Sequence, residues 1–170
     1  AAERLIIDHA AATPAFGYAL LRYFNVAGCD ASGRLGEDHR PETHLIPILM
    51  QAALGLRDHV AVYGTNYDTV DGTCVRDYLH VDDLVDAHGL ALNALGPGVG
   101  LALNLGLGRG FSVRALIEAT QAVTGVPFAV REAPRRPGDV PVLYADPARA
   151  KAVLGWQPKH LDLHEILGTA

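Results

Sequence analysis

The stretch GTCVRDYLHVDD, residues 72–83, sets one arginine, one histidine and three acids among apolar neighbours. Arg76, Asp77, His80, Asp82 and Asp83 could serve as a catalytic site, a metal site, an anion site or the start of a helix. The arginines give the strongest chemical signal. A guanidinium is planar, stays charged when partly buried and makes paired hydrogen bonds to phosphate oxygens. Arg76 follows a glycine-containing loop, while Arg135 and Arg136 precede Pro137, Gly138 and Asp139. Two such groups converging from different loops would hold a pyrophosphate. The competing reading pairs Arg76 with Asp77 or Asp82 and leaves Arg135 and Arg136 as a solvated surface doublet.

His80, Asp82 and Asp83 offer nitrogen and oxygen ligands at close spacing. Alternate residues of a strand share a face, however, and Asp82 or Asp83 is needed to cap the helix that follows. There is no HExxH and no four-ligand Cys/His set, and His39, His44, His59 and His160 are scattered among loops, so no metal is expected. Ser32 and Ser112 sit in no GxSxG elbow, and neither Cys29 nor Cys74 has an adjacent histidine. Asn25 stands in a buried run, where an unpartnered amide is costly. It either closes a structural hydrogen bond or faces a ligand at the carboxyl edge of a sheet. Asp139 could accept bonds from sugar hydroxyls, or it could be a turn residue bonded to its own backbone.

These residues need a scaffold. A chain of 170 residues suits one domain that buries roughly 70% of its unfolded surface. With 49% hydrophobic and 19% charged residues the chain is expected to be globular, and no apolar run approaches the about 20 residues needed to cross a bilayer. A net charge of −5 and a pI near 5.9 argue against broad nucleic-acid binding. The two cysteines lack CxxC spacing and no secretory signal precedes them, so reduced thiols in a cytoplasm are expected. The chain opens inside an amphipathic helix without a cap and closes on a short helix at LDLHEILGTA, which suggests a piece of a longer protein.

Between these ends, YALLRYFNVAG reads as one buried parallel strand that delivers Asn25, and residues 29–42 as a polar loop. Thr43 is the expected cap of a helix with Pro47 in its first turn. Val60–Tyr63 is a strand, 64–73 a loop, and LVDAHGLALNAL a helix capped by Asp82 or Asp83. LALNLG is a strand, and GLGRGFS reads as a tight strand-to-helix turn rather than a phosphate loop, because no GxGxxG is present. Ser112 caps VRALIEATQAVT and Gly125 ends it. PFAVRE is a strand candidate. Asp146, Pro147 at the first helical position and Gly155 mark a short helix, and Asp162 caps the last one. Strands alternate with helices, so the class is α/β with mainly parallel pairing.

In this order, RYFNVAG, HLIP, VYGTNYDTVDGTCVRDYLHVDDL, LNLGLGRGFSV, RRPGD and LGWQP resemble the carboxyl-terminal half of the UDP-glucose 4-epimerases, in the extended short-chain dehydrogenase/reductase family. The resemblance covers essentially the whole chain. It implies the last Rossmann strands plus a small mixed α/β substrate-binding domain. Residues 1–28 and about 77–106 would be elements of the NAD domain, and about 29–76 and 107–170 the substrate-binding part. The implied activity is NAD-dependent oxidation, rotation and re-reduction at C4 of a UDP-hexose. NAD would be bound mainly by an amino-terminal half that also carries the Ser/Thr and YxxxK residues, so no catalytic residue is expected here and the isolated chain should be inactive.

By motif, the resemblance puts Asn25 at the substrate's phosphate or sugar, and Tyr23 and Phe24 near the nicotinamide. Leu45 and Ala61, Val62 and Tyr63 would border the uridine, with Tyr63 stacking on uracil. Arg76 and Arg136 would clamp the pyrophosphate and Asp139 would accept the ribose hydroxyls. Leu143 falls where some members restrict N-acetylated sugars, and a leucine there leaves more room than a tyrosine. His44 departs from the asparagine found in some members. The resemblance also implies a homodimer, while the cysteines, the charge and the short apolar runs lead to the expectation of a cytoplasmic protein that binds neither nucleic acid nor membrane. The alternatives are another nucleotide-sugar dehydratase or decarboxylase of the superfamily, or a non-catalytic UDP-sugar-binding or assembly module.

Overall fold

The computed structural model describes residues 1–170. Helix α1 (Ala2–Ala12) buries no side chain. The expected single strand is divided at Phe24 into β1 (Tyr18–Tyr23) and β2 (Asn25–Ala27). The remaining elements are α2 (Leu45–Ala53), β3 (Val60–Tyr63), β4 (Val75–Arg76), β5 (Tyr78–His80), α3 (Val81–Asn93), β6 (Gly100–Leu105), β7 (Phe111–Ser112), α4 (Val113–Thr124), β8 (Val130–Ala133), β9 (Val142–Leu143), α5 (Ala148–Leu154) and α6 (Leu163–Gly168). The division at Phe24 reflects partners: β1 lies parallel to β6, whereas β2 lies parallel to β5. β3 pairs parallel with β8, and β4 sits between antiparallel β7 and parallel β9. Helix-linked strands run parallel because a crossover brings the chain back to the same end.

Two hydrophobic cores lie on either side of β5. Adjacent strand residues point to opposite faces, and Tyr78 joins one core while Leu79 joins the other. The first core packs α2, α4 and α6 against β3 through residues such as Leu49, Val60, Leu116 and Ile166. The second packs α3 and β6 through Leu84, Ala87, Leu103 and Leu105, together with Ala150 and Trp156. Thus α5, although it lies within 107–170, packs with β6. Trp156 donates its indole N–H to the Asp83 carbonyl at 3.0 Å. No helix is long and apolar enough to cross a membrane.

The helix starts differ from expectation where a better acceptor lies nearby. Helix α3 is capped by neither Asp82 nor Asp83: the His80 ring Nδ1 accepts the Asp82 N–H at 3.1 Å. Asp83 is fully buried and accepts the Lys159 and His160 amides at 2.8 and 2.9 Å. Thr43 does not cap α2; Glu42 accepts the Thr43 and His44 amides, both at 2.6 Å. Pro147 precedes α5 instead of opening it, while Asp146 accepts the Ala148 amide at 3.0 Å. The PFAVRE strand starts later than expected, at Val130. Ser112 caps α4, accepting from the Ala115 N–H at 3.1 Å, and Asp162 caps α6 through the His164 and Glu165 amides. Gly125 and Gly155 close α4 and α5 in the left-handed conformation, with φ of 68° and 64°.

Candidate functional site

Arg76 lies on β4, whose pairing with β9 sets it opposite Leu143. Its Nη1 donates to the Val75 and Val140 carbonyls, both at 2.8 Å, and its Nη2 stands 3.7 Å from Asp139 Oδ1. The arginine therefore faces Asp139, and neither Asp77 nor Asp82 is its partner. The Arg135–Arg136 doublet is split. Arg135 donates to the Asn66 side chain at 2.7 Å and also to the Asn66 carbonyl, and its guanidinium covers the Tyr67 ring at 4.1 Å. Arg136 rests over the Tyr63 ring at 3.8 Å. Arg76, Arg136, Asp139 and Leu143 are thereby gathered along residues 136–143 beside the end of β3. Along β3, Ala61 and Tyr63 share one face, while Val62 is turned into the first core at 4% exposure. A side chain so placed is a packing group.

What holds this arrangement is Asp77, whose partners lie far from it in the sequence. Asp77 is buried, and its carboxylate accepts the amides of Leu107, Gly108 and Ala145 at 2.9, 3.2 and 3.1 Å. It fastens the β6–β7 turn and the segment after β9 to the base of β4. A Cβ at Gly106 would stand 2.5 Å from Asp77 Oδ2, so only glycine allows this approach. Within the GLGRGFS turn, the Leu107 and Gly108 amides are thus taken by an internal carboxylate. Asp71 acts similarly on the preceding loop, accepting Thr73 N–H at 2.9 Å, Thr73 Oγ1 at 2.7 Å and the Ser112 hydroxyl. Burial would raise the Asp71 carboxyl, but these donors from Ser112 and Thr73 outweigh it and hold it below the usual carboxylate range.

Beside β2 and the start of α2 lies a cavity of about 720 Å³ that Tyr23, Phe24, Asn25 and Leu45 line together with His44 and Tyr78. Its size falls within the range of small-molecule sites. The Asn25 N–H donates to the Asp77 carbonyl at 3.1 Å, so the cavity wall is joined by one hydrogen bond to the residue after Arg76. The sequence-predicted residues thus form two groups, one in the cavity and one along 136–143. Burial pushes the Tyr78 hydroxyl well above its ordinary value and keeps it neutral.

His80 is structural. Burial and the His160 ring, stacked 4.0 Å away, lower its pKa. Both of its nitrogens are engaged, Nδ1 by the Asp82 amide and Nε2 by the Thr169 hydroxyl at 2.9 Å. The two cysteines are free thiols.

Known proteins share this organisation. The profile of the NAD dependent epimerase/dehydratase family matches residues 1–106. The chain is 51% identical over 151 residues to the UDP-glucose 4-epimerase of Halalkalibacterium halodurans, an alignment that covers 88% of this chain and 45% of that protein. It superposes on the Brucella ovis UDP-glucose 4-epimerase in complex with NAD with a TM-score of 0.91 at 48% identity, over 99% of this chain and 52% of that one. With the Bifidobacterium longum UDP-glucose 4-epimerase in complex with NAD+ and UDP the TM-score is 0.92 at 39% identity, over 98% and 50% of the two chains. The chain spans about half the length of the curated relatives it matches. A profile match over more than half its residues and an α/β fold superposing on these epimerases place it plainly: the chain belongs to the NAD dependent epimerase/dehydratase family.

Proposed function

We propose that these 170 residues form the UDP-sugar-holding part of an NAD-dependent UDP-glucose 4-epimerase, whose proton- and hydride-transfer residues lie in sequence outside them. The observation that carries this reading is the gathering of Arg76, Arg136 and Asp139 along one segment. Two guanidiniums and a carboxylate match a pyrophosphate and the adjacent ribose hydroxyls.

In this reading Arg76 exchanges the Val140 carbonyl for phosphate oxygens, while Arg136 leaves or slides along Tyr63 to complete the clamp. Asp139, freed from Arg76, accepts the ribose hydroxyls, and Ala61 and Tyr63 border the base. Strong anchoring at the pyrophosphate leaves the hexose loosely held, which a sugar that must present both faces requires. Asn25 orients the sugar or the adjoining phosphate, and Leu143 leaves room beside it. Tyr23 and Phe24 fit the nicotinamide as aromatic lining of the larger cavity. Bound NAD supplies the acceptor and donor of the hydride at C4. The β6–β7 turn gives its Leu107 and Gly108 amides to Asp77, which supports binding of the NAD phosphates mainly by residues outside these 170. Residues 1–28 and about 77–106 complete the NAD domain, residues 29–76 and 107–170 form the substrate part, and the intact enzyme is a cytoplasmic homodimer.

Calorimetric titration of the chain tests the clamp. UDP should bind at one site and uridine at least tenfold more weakly, since hydrogen bonds to charged groups contribute about 1.5–3 kcal/mol. Equal affinity for the two would remove the pyrophosphate from the site.

A further inference from the structure

Histidines that the sequence scatters among loops converge next to the cavity. His39, Glu42 and His44 each bring one ligand atom within 4.8 Å of the others. His44 Nδ1 lies 3.1 Å from Glu42 Oε1 and 2.7 Å from Glu37 Oε1, and His39 Nδ1 lies 3.8 Å from Glu42 Oε1. The two imidazole rings are 4.9 Å apart. Glu42 is unusual for a loop carboxylate, with a side chain only 7% exposed. The Thr43 and His44 amides that it accepts hold it between the two rings. His44 Nδ1 carries at most one proton, yet two carboxylate oxygens face it. A hydrogen bond can serve one of them, whereas a divalent cation serves both and the second imidazole too.

We propose that His39, Glu42 and His44 form a Zn²⁺ site, with Glu37 as the fourth ligand after rotation of its side chain. Two neutral imidazoles and two carboxylates suit Zn²⁺ in donor type, and the two negative charges neutralise it. A tetrahedron with ligands at about 2.0–2.2 Å has edges of about 3.3–3.6 Å. The observed separations of 2.7 to 3.8 Å bracket that range, so adjustments of side chains suffice. All four ligands come from residues 37–44, a short segment that can close around an ion without rearranging the cores. Glu37, His39 and Glu42 line a cavity of about 240 Å³, and Glu37 and His44 also line the larger one. Bound metal would fix the wall between the two and draw His44 away from the larger cavity. The existence of the site does not rest on the proposed activity.

Titration of the chain with CoCl₂, followed by ZnCl₂, tests this. One equivalent of Co²⁺ should produce the visible absorption of a tetrahedral centre, and Zn²⁺ should abolish it by displacement. His39→Ala, His44→Ala and Glu42→Gln should each weaken binding at least tenfold, while His164→Ala should leave it unchanged. The His39 and His44 side chains are 50% and 56% exposed, so their removal leaves the cores intact, which thermal unfolding of the metal-free variants checks. An absent tetrahedral spectrum, or undiminished affinity in the His39→Ala/His44→Ala double variant, would reduce any bound metal to an adventitious ion only and overturn the proposal.

Discussion

Asp77 and Ala145 meet across 68 residues of sequence, the buried carboxylate accepting the Ala145 amide at 3.1 Å. The same carboxylate holds Leu107 and Gly108, so two distant segments depend on it. Removing it leaves three donors without their acceptor, each at a cost of about 1–3 kcal/mol when buried. Asp77→Ala should therefore lower stability by about 3 kcal/mol or more in urea unfolding. Asp82→Ala, at a half-exposed side chain that caps nothing, should change it by about 0.5 kcal/mol or less. Similar costs for the two variants would show that Asp77 fastens nothing.

The turn itself gives a second test. A methyl at Gly106 meets Asp77 Oδ2 at 2.5 Å and Ala145 Cβ at 2.7 Å, and neither neighbour is the end of a free side chain. Overpacking of this kind costs about 1–3 kcal/mol. Gly106→Ala should lower the unfolding midpoint accordingly, whereas Gly138→Ala meets no atom and suffers only its positive φ of 86°. A neutral Gly106→Ala would mean that the approach to Asp77 is looser than 2.5 Å.

His80 links stability to pH. Burial, followed by the charge of His160, lowers its pKa below the ordinary 6.5, against the opposing pull of Asp82, Asp83 and Glu165. The unfolded chain takes up this proton near pH 6.5, but the folded chain does so only at lower pH. Its contribution is fully present above about pH 6.5 and is lost as the pH falls from there to the folded pKa. His80→Asn keeps a capping side chain without the titration. Urea midpoints measured near pH 7.5 and near pH 5.5 should differ less in this variant than in the parent; an unchanged difference would assign the pH dependence to other groups.

The arginine doublet separates two roles. Arg135→Ala loses the Asn66 bonds and the Tyr67 ring, so it should lower thermal stability by about 1 kcal/mol while UDP affinity changes little. Arg136→Ala should do the reverse, weakening UDP roughly tenfold at nearly constant stability. Exchange of these two phenotypes would exchange the assignments.

Local signals were legible in the sequence. The serine before α4, the glycines closing α4 and α5 and the aspartate before α6 act within a few residues, and each was found where its chemistry placed it. The α/β class and parallel pairing followed from alternation of strand and helix patterns. The partners of the hubs were not legible, because those of Asp77 lie 30 to 68 residues away and those of Asp83 76 to 77 residues away. No local pattern announces a carboxylate whose donors are distant amides. The α3 cap was misassigned for a related reason: an imidazole rarely caps, and the expected aspartate had been claimed by a distant loop. The family motifs named the candidate binding residues, but only the structure divides them between the cavity and the 136–143 segment and turns Val62 inward.

The central claim is that Arg76 anchors a UDP pyrophosphate. Its most direct test is the calorimetric affinity of the chain for UDP before and after Arg76→Ala, with urea unfolding to verify that the variant is folded. Loss of charge-assisted hydrogen bonds worth about 1.5–3 kcal/mol predicts binding weaker by roughly tenfold or more. Unchanged affinity in a folded Arg76→Ala variant would contradict the account.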